Sequence, residues 1–378
     1  QVAISFISLV AAGWFLRSVD NARQADPGLE VDRLFLISFD LTTLDVPPAQ
    51  GSQIVEHMLA EALGTPGAVA AGEGQKQLFS GIGLAQSVAV EGRAAERQQP
   101  LVETNGVTVD YFSTLGIPLR AGRAFQPSDR PDSQKVAVIN DSMAKRYWPG
   151  ELSLPLGRRF RLDDGPDPIT VVGIVHDTRI TSATEDPRPF IYLPMTQHYA
   201  PGVTVFVRVD RPSAGLISLL RGRLQAVDRE LPIELVAART QLDQSLWASH
   251  AAAGLLTVLG ALALVLAALG VASLVAYEAN RRRFEIGVRL ALGAPRPTIA
   301  RLVAMGSLGV ILVGVIVGLG ATSALGGAVS SLLFQVSPTD PWVLGGTGGL
   351  LILVALAANI VPVWRAVTIS PSSTLQGR

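Results

Sequence analysis

Two long uncharged tracts dominate the hydrophobic pattern of this chain. Neither Ala251–Tyr277 nor Leu302–Thr339 contains an Asp, Glu, Lys or Arg, and each exceeds the roughly 20 apolar residues that cross the hydrocarbon core of a bilayer. A third such tract runs from Trp342 to Trp364. Gln1–Leu16 is also apolar but short for a span and begins without an initiator Met. It reads as part of a span whose start is missing. A signal peptide is the rival, but no basic segment precedes this core and no clear small-residue cleavage site follows Trp14-Phe15-Leu16-Arg17.

Between the first and second tracts the pattern changes to short alternating runs. Leu34–Asp40 suits a strand, and the Pro47-Pro48 pair ends it. Ser52 looks like the N-cap of a helix reaching Leu63, with Ile54, Val55, Met58, Leu59 and Leu63 on one stripe and Gly64 and Pro66 as its stop. Strands are predicted at Ala85–Gly92, Leu101–Val109, Lys135–Asn140, Ile169–Val175, Phe190–Leu193, Val203–Val209 and Ile233–Val236. Helices are predicted at Ser142–Trp148 and Ser213–Val227. Interleaved strands and helices make this an α/β or α+β domain, with room for two lobes.

Charge orients the chain. The 378 residues carry 31 Lys and Arg against 31 Asp and Glu, but the balance hides a split. Arg17–His250 holds 23 basic and 28 acidic residues, whereas Arg281, Arg282, Arg283, Arg289, Arg296 and Arg301 crowd the link between the second and third spans. Excess Arg marks cytoplasmic loops, which places this link and the C-terminus inside and the large domain outside. The fold class is therefore a membrane α-helical bundle of four spans, the first one truncated, with an α/β (α+β) extracytoplasmic domain inserted between spans 1 and 2. The segments are 1–17 (span 1), 18–248 (outer domain), 249–277 (span 2), 278–298 (inner link), 299–326 (span 3), 327–341 (outer loop), 342–364 (span 4) and 365–378 (inner tail).

Composition removes several chemistries. No cysteine is present, so disulfides and thiolate metal sites are unavailable. His57, His176, His198 and His250 are scattered and form no His-Glu-x-x-His pattern. His176-Asp177 is the best acid/base pair, with a solvated turn as the plainer reading. Asp163-Asp164 and Asp129 with Asp132 read as turns rather than cation ligands. No Gly-x-x-x-x-Gly-Lys-Ser/Thr loop occurs, so ATP must be handled by a partner. The spans after residue 250 hold no ionisable group at mid-depth, only Asn359 near the last end, which argues against an ion-coupled transporter. Gly314/Gly318 and Gly345/Gly349 are spaced for close helix approach.

The inner link carries the most information. Phe284, Val288, Ala291 and Leu292 share one helical face. Glu285 and Arg289 are four apart in the favourable order, and Arg281 also reaches Glu285. Gly293 is a natural stop, with Pro295 and Pro297 preventing continuation. A short amphipathic helix of this kind suits either anionic headgroups or a cytoplasmic partner.

Arg283-Phe284-Glu285-Ile286-Gly287-Val288-Arg289-Leu290-Ala291-Leu292-Gly293-Ala294 closely resembles a signature of MacB/FtsX-type ABC-transporter permeases. Ser337-Pro338-Thr339-Asp340-Pro341 resembles their outer loop, and Pro362, Arg365-Ala366 and Ile369-Ser370-Pro371 resemble their exit from the last span, with Val363-Trp364 and Ser370 as departures. Val109-Asp110-Tyr111-Phe112, Leu115–Leu119, Gly122–Phe125, Val138–Asn140, Tyr147–Gly150 and Val171–Val175 resemble the MacB-like periplasmic core. The resemblance implies a non-catalytic transporter subunit of the inner membrane whose partners are a cytoplasmic ABC ATPase, membrane lipid, a second permease half or copy and a periplasmic adaptor, with no nucleic acid. It implies no cofactor of the chain's own, ATP being used by the partner. It further implies that Arg283, Phe284, Glu285, Ile286, Gly287, Arg289, Leu292 and Gly293 contact the ATPase, and that closure inside is relayed through the spans to the outer domain.

Overall fold

The computed structural model describes all residues except 42–46, 84, 92–100, 150–153, 164, 166, 199–201, 229–230, 293–294, 330–332 and 368–378. It divides into two compact units, Gln1–Gln24 with Trp247–Arg378, and Ala25–Leu246.

In chain order the elements are α1 (Val2–Gln24), β1 (Leu34–Asp40), α2 (Pro48–Leu63), β2 (Ala68–Gly74), β3 (Ala85–Val90), β4 (Leu101–Val107), α3 (Tyr111–Leu115), β5 (Leu119–Gly122), β6 (Val136–Asn140), α4 (Asp141–Tyr147), β7 (Arg159–Leu162), β8 (Ile169–Val175), β9 (Phe190–Pro194), β10 (Gly202–Val209), α5 (Ala214–Val227), β11 (Glu234–Ala237), α6 (Ala238–Ser245), α7 (Trp247–Arg281), α8 (Arg283–Ala291), α9 (Arg296–Val329) and α10 (Pro341–Val367).

The large domain is a mixed sheet in the order β11-β1-β10-β2-β4-β3-β7-β8-β6-β9. Its first part is an open antiparallel sheet. The register Phe35↔Val207, Ile37↔Val205 and Phe39↔Val203 lines up the alternating apolar positions of β1 and β10. That face buries Val55, Met58 and Ala62 of α2 and Leu216, Leu220 and Leu224 of α5, as period-2 strands against period-3.6 helices require. The opposite face holds Phe206 against Tyr111 of α3, ring centroids 5.6 Å apart. The second part closes on itself, because β9 pairs with β4 in parallel, giving a ring β4-β3-β7-β8-β6-β9. Ala137 and Ile139, Ile169 and Val171, and Ile191 and Leu193 fill one core with Phe160 and the α4 residues Met143 and Tyr147. Among the described residues these two clusters share no member, and Tyr111, Phe112, Tyr192 and Phe206 pack together outside both.

Several local expectations change. Helix α2 begins at Pro48, with Pro47 as N-cap rather than Ser52. Proline at the first helical position has no amide to lose and a preset φ, so the pair starts this helix, while β1 ends at Asp40, ahead of it. Leu101–Val107 stops short of Val109 because residues 108–110 turn into α3. Elements β2, α3, β5, β7 and α6 are additions to the sequence reading.

In the other unit, four helices among the described residues are long and apolar enough to cross a membrane: Val2–Gln24, Trp247–Arg281, Ile311–Val329 and Pro341–Trp364. α1 extends beyond residue 17 to Gln24, and α9 begins at Arg296, ahead of residue 299. Phe6, Val10 and Trp14 of α1 pack with Leu333, Val336 and Leu351, while Val271, Val275, Ile311 and Ala355 form a second cluster. Outward-facing positions are apolar: Leu255, Leu262 and Leu269 on α7, Val313 and Ile316 on α9, and Leu353 and Ile360 on α10 are all exposed. Such a girdle suits hydrocarbon, where helices satisfy their own backbone groups. Gly314 and Gly318 sit where α1 crosses α9, a Cβ there falling 2.6 Å from Val2 and 2.7 Å from Phe6. Gly345 and Gly349, by contrast, have no described residue within 4 Å of a built Cβ, so this second pair makes no close helix approach among the described residues.

Candidate functional site

Helix α7 runs four residues past Tyr277, and only Arg282 separates it from α8. The hydrogen-bond ladder continues through the joint, from the Arg282 amide to the Glu278 carbonyl at 3.0 Å and from the Ile286 amide to the Arg282 carbonyl at 2.9 Å. Arg282 Nε also lies 3.2 Å from Glu278 Oε2. α8 is therefore carried on the end of a span, and its orientation follows that span.

The sequence offers Glu285 two partners, and Arg289 is the one it holds, Nη2 to Oε1 at 2.5 Å. Both side chains are half exposed, and an i,i+4 pair of this kind contributes only about 0.3–0.5 kcal/mol to a helix. The apolar residues carry the asymmetry. Ile286 is 1% exposed, whereas Phe284 and Leu292 are 66% and 83% exposed. At 100° per residue Ile286 lies nearly opposite Phe284, while Phe284 and Leu292 are about 80° apart. α8 therefore anchors through Ile286 and presents Phe284, with Leu292 in the turn just after it, on its free side, flanked by the Glu285–Arg289 pair. Val288, predicted on the Phe284 face, is half-buried. Arg283 and Gly287 lie on α8 by backbone, and Gly293 lies outside the described residues.

The enzymatic candidates resolve into structural bonds. Asp177 accepts the Ser142 amide at 2.9 Å and the Ser142 hydroxyl at 2.8 Å, bracing the first turn of α4. His176 Nδ1 is 3.3 Å from Asp141 Oδ2. Asp129 accepts both Arg123 nitrogens, at 2.8 and 2.9 Å, and the Gln126 amide at 2.8 Å. Burial alone would raise the Asp129 pKa, but these hydrogen bonds and the Arg123 charge outweigh it and hold the carboxyl below its usual range. Asp163 accepts the Ser87 amide at 2.9 Å, Asp132 is exposed, and Asp164 lies outside the described residues. His57 is exposed and His198 is partly buried, its pKa lowered by burial and then by Lys135. Among the described residues no group of three His, Cys, Asp or Glu could hold a metal ion. Asn359 is 4% exposed within the bundle.

Two charge arrangements in the large domain escape sequence reading. Lys76 and Glu103, both buried, pair at 2.6 Å, and Glu103 also takes Arg188 at 2.9 Å and the Thr181 hydroxyl at 2.5 Å. Burial opposes the Glu103 charge, but the bonds from Lys76 and Thr181 and the charges of Lys76 and Arg188 bring its pKa below the ordinary range. Glu73 on β2 is 7% exposed, and no described residue hydrogen-bonds its carboxyl. Burial, reinforced by the Glu56 charge, pushes it up to about 7. Nothing in the spacing of these residues marks them, since the partners come from different strands and loops.

Comparison with known proteins covers both units. A family model described as MacB-like periplasmic core domain matches residues 3–216, and one described as FtsX-like permease C-terminal matches residues 257–371. The macrolide export ATP-binding/permease protein MacB of Rhodospirillum rubrum is 27% identical over 256 residues, 63% of this chain and 38% of that protein. The pyoverdine export ATP-binding/permease protein PvdT of Pseudomonas entomophila is 25% identical over 275 residues, 68% of this chain and 40% of that one. The chain thus spans 38% and 40% of the length of these two curated relatives. Among solved structures, the periplasmic region of MacB from Actinobacillus actinomycetemcomitans aligns with 15% identity and a TM-score of 0.40 over 58% of this chain and 94% of that one.

Proposed function

The chain belongs to the MacB/FtsX-type permease family, and from that premise we propose that it is the membrane subunit of an ATP-driven exporter or envelope machine. ATP is bound and hydrolysed by a cytoplasmic partner, α8 receives that partner, and the spans relay its closure to the domain on the far side of the inner membrane. The reading extends to a second permease half or copy within the bilayer and to a periplasmic adaptor on the outer domain.

The observation that carries this reading is the side α8 leaves uncovered. An isolated surface helix in water normally buries its apolar stripe. α8 buries Ile286 and leaves Phe284 and Leu292 open on a link whose Arg content assigns it to the cytosol. An exposed aromatic beside an ion pair matches the anchor-and-rim composition of protein interfaces, where a few such residues carry most of the binding energy.

The test is co-purification of the ATPase with the membrane-inserted chain. Phe284→Asp is expected to weaken it by about 30-fold or more, the scale of an anchor worth about 2 kcal/mol. Replacing Glu285 and Arg289 together with Ala is expected to weaken it less, with insertion intact in both variants. Undiminished co-purification of Phe284→Asp overturns the assignment of α8.

A further inference from the structure

Helix α1 is fastened at its outer end to the turn between α9 and α10, more than 300 residues away in sequence. Ser18, 3% exposed, accepts the Phe334 amide through Oγ at 2.8 Å. Asn21 donates through Nδ2 to the Gln335 carbonyl at 3.0 Å, and Gln335 holds a left-handed backbone, φ 50°, unusual for a residue with a Cβ. Arg17 Nη1 meets Asp340 Oδ1 at 3.2 Å. The same Asp340 oxygen caps α10 by accepting the Trp342 amide at 2.9 Å. Trp14 is buried with Leu333 and Val336 beneath these bonds, and Gly13 passes so close to α10 that a Cβ would stand 2.8 Å from Val343.

The segment that follows α1 in sequence is held down within the large domain. Residues 25–33 lie between α1 and β1 in sequence. The Glu30 amide bonds the Leu115 carbonyl at 2.9 Å, the Arg179 amide bonds the Pro27 carbonyl at 2.9 Å, and Arg239 pairs with Asp32 at 2.6 Å. Leu29 and Val31 are each 6% exposed, and Gly28, φ 78°, has room for no side chain because a Cβ would stand 2.7 Å from the Asp177 carbonyl.

We propose that Arg17, Ser18 and Asn21 are positioning residues that clasp the 333–340 turn to α1, so that movement of the α9–α10 hairpin is handed to the segment 25–33 without the turn sliding past α1. Polar bonds serve this purpose better than apolar packing. A hydrogen bond holds only over a narrow range of distance and angle between its two atoms, which apolar contact does not require. The positive-φ Gln335 fixes which carbonyl faces Asn21, giving the clasp a single register.

This inference rests on the ATP-driven relay proposed above, and hydrogen exchange by mass spectrometry on the complex purified with its ATPase separates the two. In the unsubstituted chain, ATP with vanadate is expected to change amide exchange in residues 25–33 while the ATPase protects α8. Ser18→Ala with Asn21→Asp, which removes one acceptor and one donor at nearly constant shape, is expected to lose the change at 25–33 and keep the protection of α8. Because the chain has no cysteine, an Asn21→Cys/Gln335→Cys pair can be oxidised cleanly, and the locked clasp is expected to retain the change. Persistence of the change in Ser18→Ala/Asn21→Asp, or its loss on oxidation, overturns the clasp. Protection of α8 without any change at 25–33 in the unsubstituted chain overturns the clasp alone, and absence of protection at α8 overturns both readings.

Discussion

Glu73 gives the large domain a stability that should fall between mildly acidic and neutral pH, against the usual direction for a carboxylate. Its backbone is satisfied, the amide donating to Thr108 Oγ1 at 2.8 Å and the carbonyl accepting the Thr108 amide at 3.0 Å. Its side chain is buried without a hydrogen bond from any described residue, which pushes its pKa from 4.5 to about 7. A group whose folded pKa is raised contributes stability that is complete below the unfolded value, here 4.5, and is lost as pH rises through the folded value, here about 7. At about 1.4 kcal/mol per pKa unit this amounts to on the order of 3 kcal/mol between pH 4.5 and pH 8. For a domain of this size the loss corresponds to roughly 6–12 °C in Tm. Glu73→Gln keeps the shape and removes the titration. Thermal unfolding of both proteins from pH 4 to pH 8 is expected to show curves that lie close together at pH 4 and separate by that amount at pH 8, the variant being more stable. Because burial is the larger cause and Glu56 the smaller, Glu56→Gln should narrow the gap only in part, and added salt should hardly change it. Curves that stay parallel across the range would refute the reasoning, because they would mean that Glu73 meets water or a donor when it ionises.

The Lys76–Glu103 pair predicts the opposite sign. Glu103→Ala strands a buried ammonium and is expected to cost about 3–5 kcal/mol near neutral pH, read as a fall in the denaturation midpoint. Glu103 titrates below its ordinary range, so its contribution is present above about pH 4.5 and is lost as pH falls through the lowered folded value. The deficit of Glu103→Ala should therefore shrink in acid, and it should shrink again in alkali as Lys76, whose pKa burial already lowers, gives up its proton. In the bundle, Gly318→Leu is expected to push α1 from α9, because a Cβ there would already stand 2.7 Å from Phe6, and to lower the melting temperature of the detergent-solubilised chain. Gly345→Ala has open space and should leave that temperature within about 1–2 °C, equivalent to about 0.5 kcal/mol.

What the sequence makes legible follows from which forces leave a local mark. A span must carry about 20 consecutive apolar residues because hydrocarbon offers nothing else to bond a backbone. α7, α9 and α10 accordingly coincide with uncharged tracts that need no structure to find. β1 and β10 are legible because their β-branched and aromatic residues face α2 and α5 at every second position, and β8 because β-branched residues fill most of its length. β2, by contrast, reads Ala-Val-Ala-Ala-Gly-Glu-Gly and carries almost no such signal. Its small residues answer a neighbour rather than a propensity. A Cβ at Gly72 would stand 3.0 Å from the Tyr111 backbone, and one at Gly74 would stand 2.8 Å from the Tyr111 ring. The strand is therefore written in the space α3 occupies, and that space exists only once the chain has folded.

The candidate site divides in the same way. The i,i+4 spacing of Glu285 and Arg289 and the prolines after Gly293 predict α8 as a helix, because both act within one or two turns. Which side it shows depends on Ile286 being the residue that is covered, a fact that amphipathic spacing alone leaves open, since Phe284, Ile286 and Leu292 are all apolar. The clasp is harder still to read. Arg17, Ser18 and Asn21 follow the apolar run of α1 and look like the ordinary polar exit of a span. Only the fold brings Phe334, Gln335 and Asp340 to them. A bond between residues more than 300 apart leaves no periodicity in either segment. Yet such a bond constrains the relative motion of the helices it joins, because it holds only at one distance and angle. The contacts that fix how two helices move together are for this reason the ones that a linear pattern records least.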